Sequence, residues 1–146
     1  MGRYSMRKVA VVIIITVIFA STLRAESNTI TVEISGIKEI TGQISIGLFN
    51  TPDCFPNKDK AYKGAFVKVE ENSATYIFSG IPSGDYAIAI FHDSNNNGNL
   101  DRNFLGIPKE GYAFSKNSKG TFGPPNFDKA KFRLDGNYIA RIKMNY

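Results

Sequence analysis

The sequence predicts an all-β protein, a single seven-stranded antiparallel β-sandwich. Short segments in which apolar and polar residues alternate recur along the chain and are separated by Gly, Pro, Asn and Asp. Alternation with a period of two is typical of a strand that has one buried face. No segment after residue 25 has the apolar spacing of an amphipathic helix. The chain is long enough for one domain with one hydrophobic core.

Four strands are predicted in the first 80 residues. In the first of them, Ile30, Val32 and Ile34 share one face, and polar residues occupy the other. Two prolines after the second strand cannot donate hydrogen bonds to a sheet, so an irregular stretch with one helical turn at most is expected there. The four strands are predicted at residues 28–35, 43–50, 66–70 and 74–78.

The fifth strand, at residues 85–91, is predicted to lie in the middle of a sheet. Both of its faces are apolar, and a strand of this kind is covered on both sides. The small residues on one face indicate close packing against another layer. The two faces consist of Tyr86, Ile88 and Ile90 and of Ala87, Ala89 and Phe91.

A long polar and glycine-rich excursion follows the fifth strand, from residue 92 to about residue 126. A loop of this length in a compact domain is usually functional or needs its own scaffold. Its aromatic residues are expected to form a satellite cluster that holds the excursion on the sandwich. The alternative is that they line a surface for a sugar or a peptide. These residues are Phe104, Tyr112, Phe114 and Phe122.

The last two strands are predicted at residues 128–134 and 137–145. Asp135 and Gly136 lie between them, and Asp-Gly between two alternating segments is a strong signal for a β-hairpin. The sequence therefore predicts that these two strands pair with each other after the long excursion.

The N-terminal segment has the pattern of a secretory signal peptide. Arg7 and Lys8 precede an apolar run at residues 9–20, and a small residue, Ala25, stands before a polar chain. The run is shorter than the roughly 20 residues that a membrane span needs. We therefore expect residues 1–25 to be removed from an exported protein, periplasmic or extracellular, whose β-sandwich domain comprises residues 26–146 and has no membrane span. An uncleaved N-terminal anchor is the alternative.

The charge and cysteine content narrow the possible partners. Four of the 18 Lys and Arg residues lie in the first 25 residues, so the remaining 14 nearly balance the 13 Asp and Glu residues. Nucleic acid is not an expected partner, because no basic stripe is left to neutralise phosphates.

Cys54 is the only cysteine, so no disulfide forms within the chain. We expect its thiol to be buried and inert.

The polar loop after the fifth strand resembles a calcium-binding loop. Asp93, Asn95 and Asn97 alternate, Gly98 follows, and Asp101 lies eight residues after Asp93. Alternate spacing lets side-chain oxygens converge on one hard cation, and the glycine supplies the sharp turn around it. The pattern predicts a Ca²⁺ site, and the alternative is a solvated turn rich in residues that tolerate positive φ.

Two further residues complete the predicted cation site, and one position departs from the pattern. Asn99 is expected to contribute its backbone carbonyl, and Glu110 to close the shell if the segment before it folds back. Phe104 stands where an EF-hand has a bidentate Glu. The predicted metal ligands are Asp93, Asn95, Asn97, Asn99, Asp101 and Glu110.

No catalytic motif accompanies this loop. His92 is the only histidine, and a zinc site needs several His or Cys ligands. We expect it to cap the strand end or to form hydrogen bonds within the loop. The protein is therefore not predicted to be an enzyme, and neither a catalytic nor a cofactor-binding residue is assigned. The alternative is an envelope hydrolase that uses Asp93, Asp101 or Glu110 as its acid or base.

The central part of the chain resembles an uncharacterised family of bacterial exported proteins, domain of unknown function 2141. The similarity covers nearly the whole chain after the signal segment and implies no activity. It is carried by the segments 84–93, 97–98, 100–101, 105–111 and 115–117, by Asn95, and by the turn at Pro124 and Pro125.

A looser resemblance points to calcium-binding B-type repeats of surface adhesins and to transthyretin-like domains. It implies a seven-stranded sandwich of the immunoglobulin or transthyretin type, in which Asp93, Asn95, Asn97 and Asp101 match the adhesin calcium loop. The functional hypothesis is an exported binding or structural module that is stabilised by calcium. Its expected partner is a protein or carbohydrate ligand in the cell envelope.

Overall fold

The structure is a computed structural model that describes residues 27–146. The predicted signal peptide lies outside the described residues. None of the helices within them is long and apolar enough to cross a membrane. The strands are β1 (Asn28–Ser35), β2 (Gln43–Phe49), β3 (Lys63–Lys68), β4 (Ser73–Ile81), β5 (Gly84–Asp93), β6 (Tyr112–Phe114), β7 (Phe132–Leu134) and β8 (Tyr138–Lys143), and the short helix α1 is Phe127–Ala130.

The strands form two sheets that pack as a β-sandwich. The smaller sheet has the order β4-β1-β8, and the larger has the order β3-β2-β5-β6, with β7 paired to the first part of β5. The main core lies between the sheets, where alternate residues of each strand are buried. This arrangement confirms the predicted fold class.

The central strand has the predicted environment. β5 pairs with β2 and with β6, and nearly all of its residues from Tyr86 to Asp93 are buried. Ile88 and Ile90 point into the main core. Ala87 packs in a second cluster on the outer face, together with Phe49, Phe114, Phe127 and Ala130. β2 is also buried on both faces, and Phe49 on its outer face packs in the second cluster together with Phe55 and Ala61 of the segment that follows β2.

The predicted final hairpin is wrong. β7 pairs antiparallel with β5, whereas β8 pairs in parallel with β1, so the two strands belong to different sheets. Asp135 and Gly136 do form a turn, but that turn carries the chain from one layer to the other. The sandwich is therefore not purely antiparallel. The physical reason is that an Asp-Gly turn specifies a local reversal and does not specify the hydrogen-bonding partner of the strand that follows.

Two shorter elements also differ from the prediction. Residues 127–130 form a helical turn that Asn126 caps by accepting a hydrogen bond from the Lys129 N–H, so only the end of the predicted sixth strand is extended. The excursion contains β6, an eighth strand among the described residues. Three residues are too short a segment for periodicity to detect.

Candidate functional site

The loop after β5 is organised around the carboxylate of Asp93, which is fully buried. One oxygen accepts a hydrogen bond from the Asn97 N–H (2.9 Å), and the other accepts from the Gly98 N–H (2.8 Å) and from Gln43 Nε2 (3.0 Å). Gly98 has a φ of +78°, a conformation that glycine adopts without strain. Asp93 therefore holds the loop in a closed turn against β2.

These hydrogen bonds determine the charge state of Asp93. Burial alone would raise its pKa, but hydrogen bonds from Gln43 and from backbone N–H groups outweigh burial and lower the pKa below its ordinary value. Hydrogen bonds donated to a carboxylate favour its ionised form. A carboxylate held in this state is a poor proton donor at neutral pH.

Asp101 accepts hydrogen bonds from two asparagine side chains of the same loop. Its two carboxylate oxygens accept hydrogen bonds from Asn95 Nδ2 (2.8 Å) and Asn97 Nδ2 (3.0 Å). The Asn97 side-chain oxygen accepts from the Asn99 N–H (2.8 Å). Three of the predicted cation ligands thus converge at one point. A cation would require both amides to rotate by 180° so that their oxygens face it, and this rotation would break the hydrogen bonds that these oxygens accept from the Asn97 and Asn99 N–H groups.

Glu110 lies against this loop, because the segment before it folds back. One of its oxygens accepts from the Ser94 N–H (2.9 Å) and hydroxyl (3.0 Å), and the other accepts from the Asp101 N–H (3.0 Å). Both oxygens therefore bind the loop backbone. Glu110 joins the start of the loop to its end, and the Asp101 carboxylate remains on the side of the asparagines.

The side chains of the loop do not form a cluster of strong metal ligands. No group of three His, Cys, Asp or Glu residues suited to a metal ion occurs within residues 27–146. A cation here would rely on the Asp101 carboxylate and on the amide and carbonyl oxygens of the asparagines. Such oxygen ligands suit calcium, a hard cation, better than a transition metal.

His92 connects the strand end to the C-terminus. Its Nε2 lies 2.7 Å from the Thr41 carbonyl oxygen and its Nδ1 lies 3.0 Å from the Tyr146 hydroxyl. Since a carbonyl only accepts, Nε2 carries a hydrogen. The Tyr146 oxygen accepts a hydrogen bond from the Lys38 N–H (3.1 Å), and its hydroxyl hydrogen is available to donate to Nδ1. His92 forms structural hydrogen bonds at the strand end, but its partners lie in other segments of the chain and not within the loop.

Residues 101–109 form a small hairpin, here called the wall hairpin, that continues directly from the loop. The Lys109 N–H donates to the Asp101 carbonyl (2.8 Å), and the Asn103 N–H donates to the Ile107 carbonyl (2.9 Å). The Asn103 side-chain oxygen accepts from the N–H groups of Leu105 and Ile107 at the tip. The hairpin therefore has its own hydrogen bonds, and Glu110 anchors its base.

The wall hairpin borders a groove on the outer face of the larger sheet. The groove has a volume of about 630 Å³, and the segment 120–124 forms its second wall. Small residues of β2 and β5 form part of its floor, where the side chains are buried or partly buried. The floor includes Ser45, Gly47, Ala89, Phe91, Tyr112 and Phe114.

The groove is apolar with basic groups beside it. Leu105, Ile107 and Phe122 expose most of their apolar surface, and Phe122 is fully exposed. Among residues 27–146, Lys58 and Arg102 are the charged residues that line the groove, and neither Asp nor Glu lines it. A cluster of exposed apolar side chains of this kind is more often an interaction site than a surface without a binding role.

The aromatic residues of the excursion divide between the two expected roles. Phe114 belongs to the cluster beside α1, with Tyr112 packed against it, so part of the predicted satellite cluster exists. Tyr112, Phe114 and Phe122 also line the groove, whereas Phe104 is 95% exposed outside it. Cys54 is a free, partly buried thiol that packs against the same cluster.

The groove itself was not predicted from the sequence. Two signals point to it in retrospect: small residues on the outer faces of β2 and β5, and the apolar residues Leu105, Ile107 and Phe122 in an otherwise polar excursion. Neither signal is specific, because the groove depends on how two distant segments fold over the sheet.

The fold defines a β-sandwich domain with one short helix among the described residues. The chain belongs to the bacterial protein family described as "Uncharacterized protein conserved in bacteria (DUF2141)", whose model matches residues 32–141. No curated protein and no solved structure matches the chain. The likeness to adhesin repeats and transthyretin-like domains stays a prediction from the loop residues.

Proposed function

We propose that the protein is an exported β-sandwich module of the cell envelope that binds an apolar ligand in the groove. The single observation that carries the proposal is the groove itself, which combines a floor of sheet residues with two walls that carry exposed apolar residues. Its volume of about 630 Å³ falls within the range of about 300–1,000 Å³ that is usual for small-molecule sites. The signal segment supports export.

The architecture also supports different roles for the two features: the loop stabilises the structure, and the groove binds the ligand. The hydrogen bonds of Asp93 and Glu110 fix the base of the wall hairpin, and the hairpin then presents Leu105 and Ile107 toward the sheet. A rigid wall reduces the entropy that a ligand loses on binding. In this proposal the carboxylates have a structural role, and the protein is not an enzyme.

The test is a titration of the ¹⁵N-labelled protein with 1-octanol, a neutral apolar probe, followed by amide chemical shifts. The chain has no Trp, so shift mapping is more informative than intrinsic fluorescence. We expect shifts to concentrate at Ala89, Phe91 and the wall hairpin. Shifts spread over both sheets, or none, would contradict the proposal.

A matched pair of variants makes this test specific. Phe122→Ser removes an exposed ring that lines the groove, and Phe104→Ser removes an exposed ring that does not. Because both rings lie outside the core, neither change should unfold the protein. We expect Phe122→Ser to weaken 1-octanol binding and Phe104→Ser to leave it unchanged. Equal effects of the two changes would place the ligand elsewhere.

Calcium at the Asp93–Asp101 loop is a second candidate function, and the convergence of Asn95 and Asn97 on the Asp101 carboxylate favours it. A bound cation would add rigidity to the base of the wall hairpin. Calcium at a hundredfold excess over its Kd would stabilise the native state by about 2.7 kcal/mol.

The calcium proposal is tested by the melting temperature in millimolar calcium and in excess chelator. We expect calcium to raise it by several degrees and Asp101→Asn to abolish the rise. Asp135→Asn, which changes an exposed carboxylate in a distant turn, serves as the control. Asp101 is a better target than Asp93, because Asp93 already holds the loop by hydrogen bonds. No rise, or one that survives Asp101→Asn, would contradict the proposal.

A further inference from the structure

We infer that the groove selects an amphipathic anion, an apolar chain or ring that carries one carboxylate or similar acidic head group. The inference rests on the proposed function and adds to it the chemical class of the ligand. It follows from two features of the groove lining. Both charged side chains in it are basic, and few of its side chains are neutral and polar.

The apolar part of such a ligand has a matching surface. Phe91 and Ala89 lie on the floor, Leu105 and Ile107 on the wall hairpin, and Phe122 on the opposite wall. Leu105, Ile107 and Phe122 are exposed and an apolar ligand would cover them, whereas Phe91 is already buried and Ala89 partly buried. Burial of apolar area is the main favourable contribution to association.

The acidic head group has a matching partner in Arg102. One of its five N–H donors binds the Gly106 carbonyl (2.9 Å), which holds the side chain along the wall hairpin. Within residues 27–146 Arg102 forms no salt bridge, whereas Lys58 is paired with Asp59 (2.9 Å). A guanidinium fixed in this way binds a carboxylate with two parallel hydrogen bonds. Arg102 is therefore the expected contact, because the charge of Lys58 is already compensated by Asp59.

The lining argues against a neutral sugar. Recognition of a sugar requires several side chains that donate and accept hydrogen bonds, because each buried hydroxyl must be satisfied. Apart from the two basic residues, Ser45, Thr121 and Tyr112 supply the polar side chains of the lining, and Ser45 is buried. The lining is otherwise aliphatic, aromatic, proline or glycine.

The test compares three probes with the same octyl chain: octanoate, 1-octanol and octylammonium. Amide shifts of the ¹⁵N-labelled full chain give the affinity and the location of each probe. We expect octanoate to bind most tightly and octylammonium least. Arg102→Gln should weaken octanoate binding about tenfold or more, since a hydrogen bond to a charged group is lost, and should leave 1-octanol binding unchanged.

Arg141→Gln is the matched control, because it removes the same charge from an exposed position on β8 in the other sheet. It should change the affinity for none of the three probes. If octanoate and 1-octanol bind equally, or if Arg102→Gln has no effect on octanoate, the inferred ligand class is wrong while the groove remains a binding site. If no probe shifts the groove amides, the proposed function fails as well.

Discussion

At the residue scale, two adjacent buried side chains at the end of β5 connect distant parts of the chain. Asp93 binds the loop that follows it and Gln43 on the neighbouring strand. His92 binds Thr41 and Tyr146. Gly42 lies so close to the Asp93 carbonyl that a Cβ atom would clash with it. These hydrogen bonds compensate for the loss of water around Asp93 and His92, which explains why two polar residues can be buried at the end of β5.

The lowered pKa of Asp93 predicts a contribution to stability that depends on pH. Because its pKa is lower in the folded state than in the unfolded state, the contribution is fully present above the unfolded pKa of about 3.9 and is lost as the pH falls through the folded pKa. We expect the difference in unfolding free energy between the wild type and Asp93→Asn to shrink below pH 4. Urea unfolding between pH 3 and pH 7 measures it.

The control for this experiment is Asp135→Asn, whose carboxylate is exposed. Its effect on the unfolding free energy should be small across the same pH range. A difference between the wild type and Asp93→Asn that stays constant as the solution is acidified would contradict the assigned role of the Asp93 charge.

Tyr146→Phe should destabilise the protein by about 1–3 kcal/mol, the cost of leaving a buried polar group without a partner. The hydroxyl serves both His92 Nδ1 and the Lys38 N–H, and neither has another partner nearby among the described hydrogen bonds. Urea unfolding measures the change. Tyr62→Phe, at a partly exposed tyrosine whose hydroxyl forms no described hydrogen bond, is the control. Equal stability of the two variants would contradict the role of Tyr146.

At the element scale, the loop and the wall hairpin behave as one unit with a single anchor. Glu110 binds the backbone at Ser94 and Asp101, which are the two ends of the loop, and the wall hairpin begins at the second of them. The hairpin makes most of its described hydrogen bonds within itself. Its position over the sheet therefore depends on the anchor.

Glu110→Gln should loosen this unit without unfolding the sandwich. Glutamine replaces one acceptor oxygen with an amide donor that faces a backbone N–H, so at least one hydrogen bond is lost. We expect faster amide hydrogen exchange at Ser94, Asp101 and the wall hairpin, and unchanged exchange in β1 and β2. Glu71→Gln, in an exposed turn, is the control. Uniformly faster exchange would show that Glu110 supports the whole fold instead.

At the scale of the whole molecule, the parallel pairing of β1 and β8 closes the sandwich. It joins the first and last strands of the described chain over six residue pairs, from Ile30 with Tyr138 to Ser35 with Lys143. Ile142 is buried in the main core opposite Ile34, whereas Ile139 on the same strand is about half exposed. The contribution of β8 to stability thus comes from one of its faces.

Ile142→Ala should destabilise the protein by about 2–5 kcal/mol, the usual cost of a large-to-small change in a core. Ile139→Ala should change stability by about 0.5 kcal/mol or less, as expected for an exposed position. Thermal or urea unfolding of both variants checks the prediction. Similar losses for the two variants would mean that β8 does not present the face that the pairing with β1 implies.

Much of the candidate site followed from sequence because its chemistry is local. Asp93, Asn95, Asn97 and Asp101 lie within nine residues of one another, so their spacing alone placed them around one turn. The contact of Glu110 with this turn was expected only if the chain folded back, and the wall hairpin provides that return. The groove could not be predicted, since its walls and floor come from segments far apart in the chain.

The sequence by itself determined the all-β class, the central position of β5 and the polar loop at its end. These features depend on periodicity and turn residues, which act over a few neighbouring positions. The tertiary structure alone decided that β7 and β8 belong to different sheets, that β1 and β8 run parallel, and that the excursion builds a groove. Those features depend on which distant surfaces bury each other, and a local pattern carries no information about the partner.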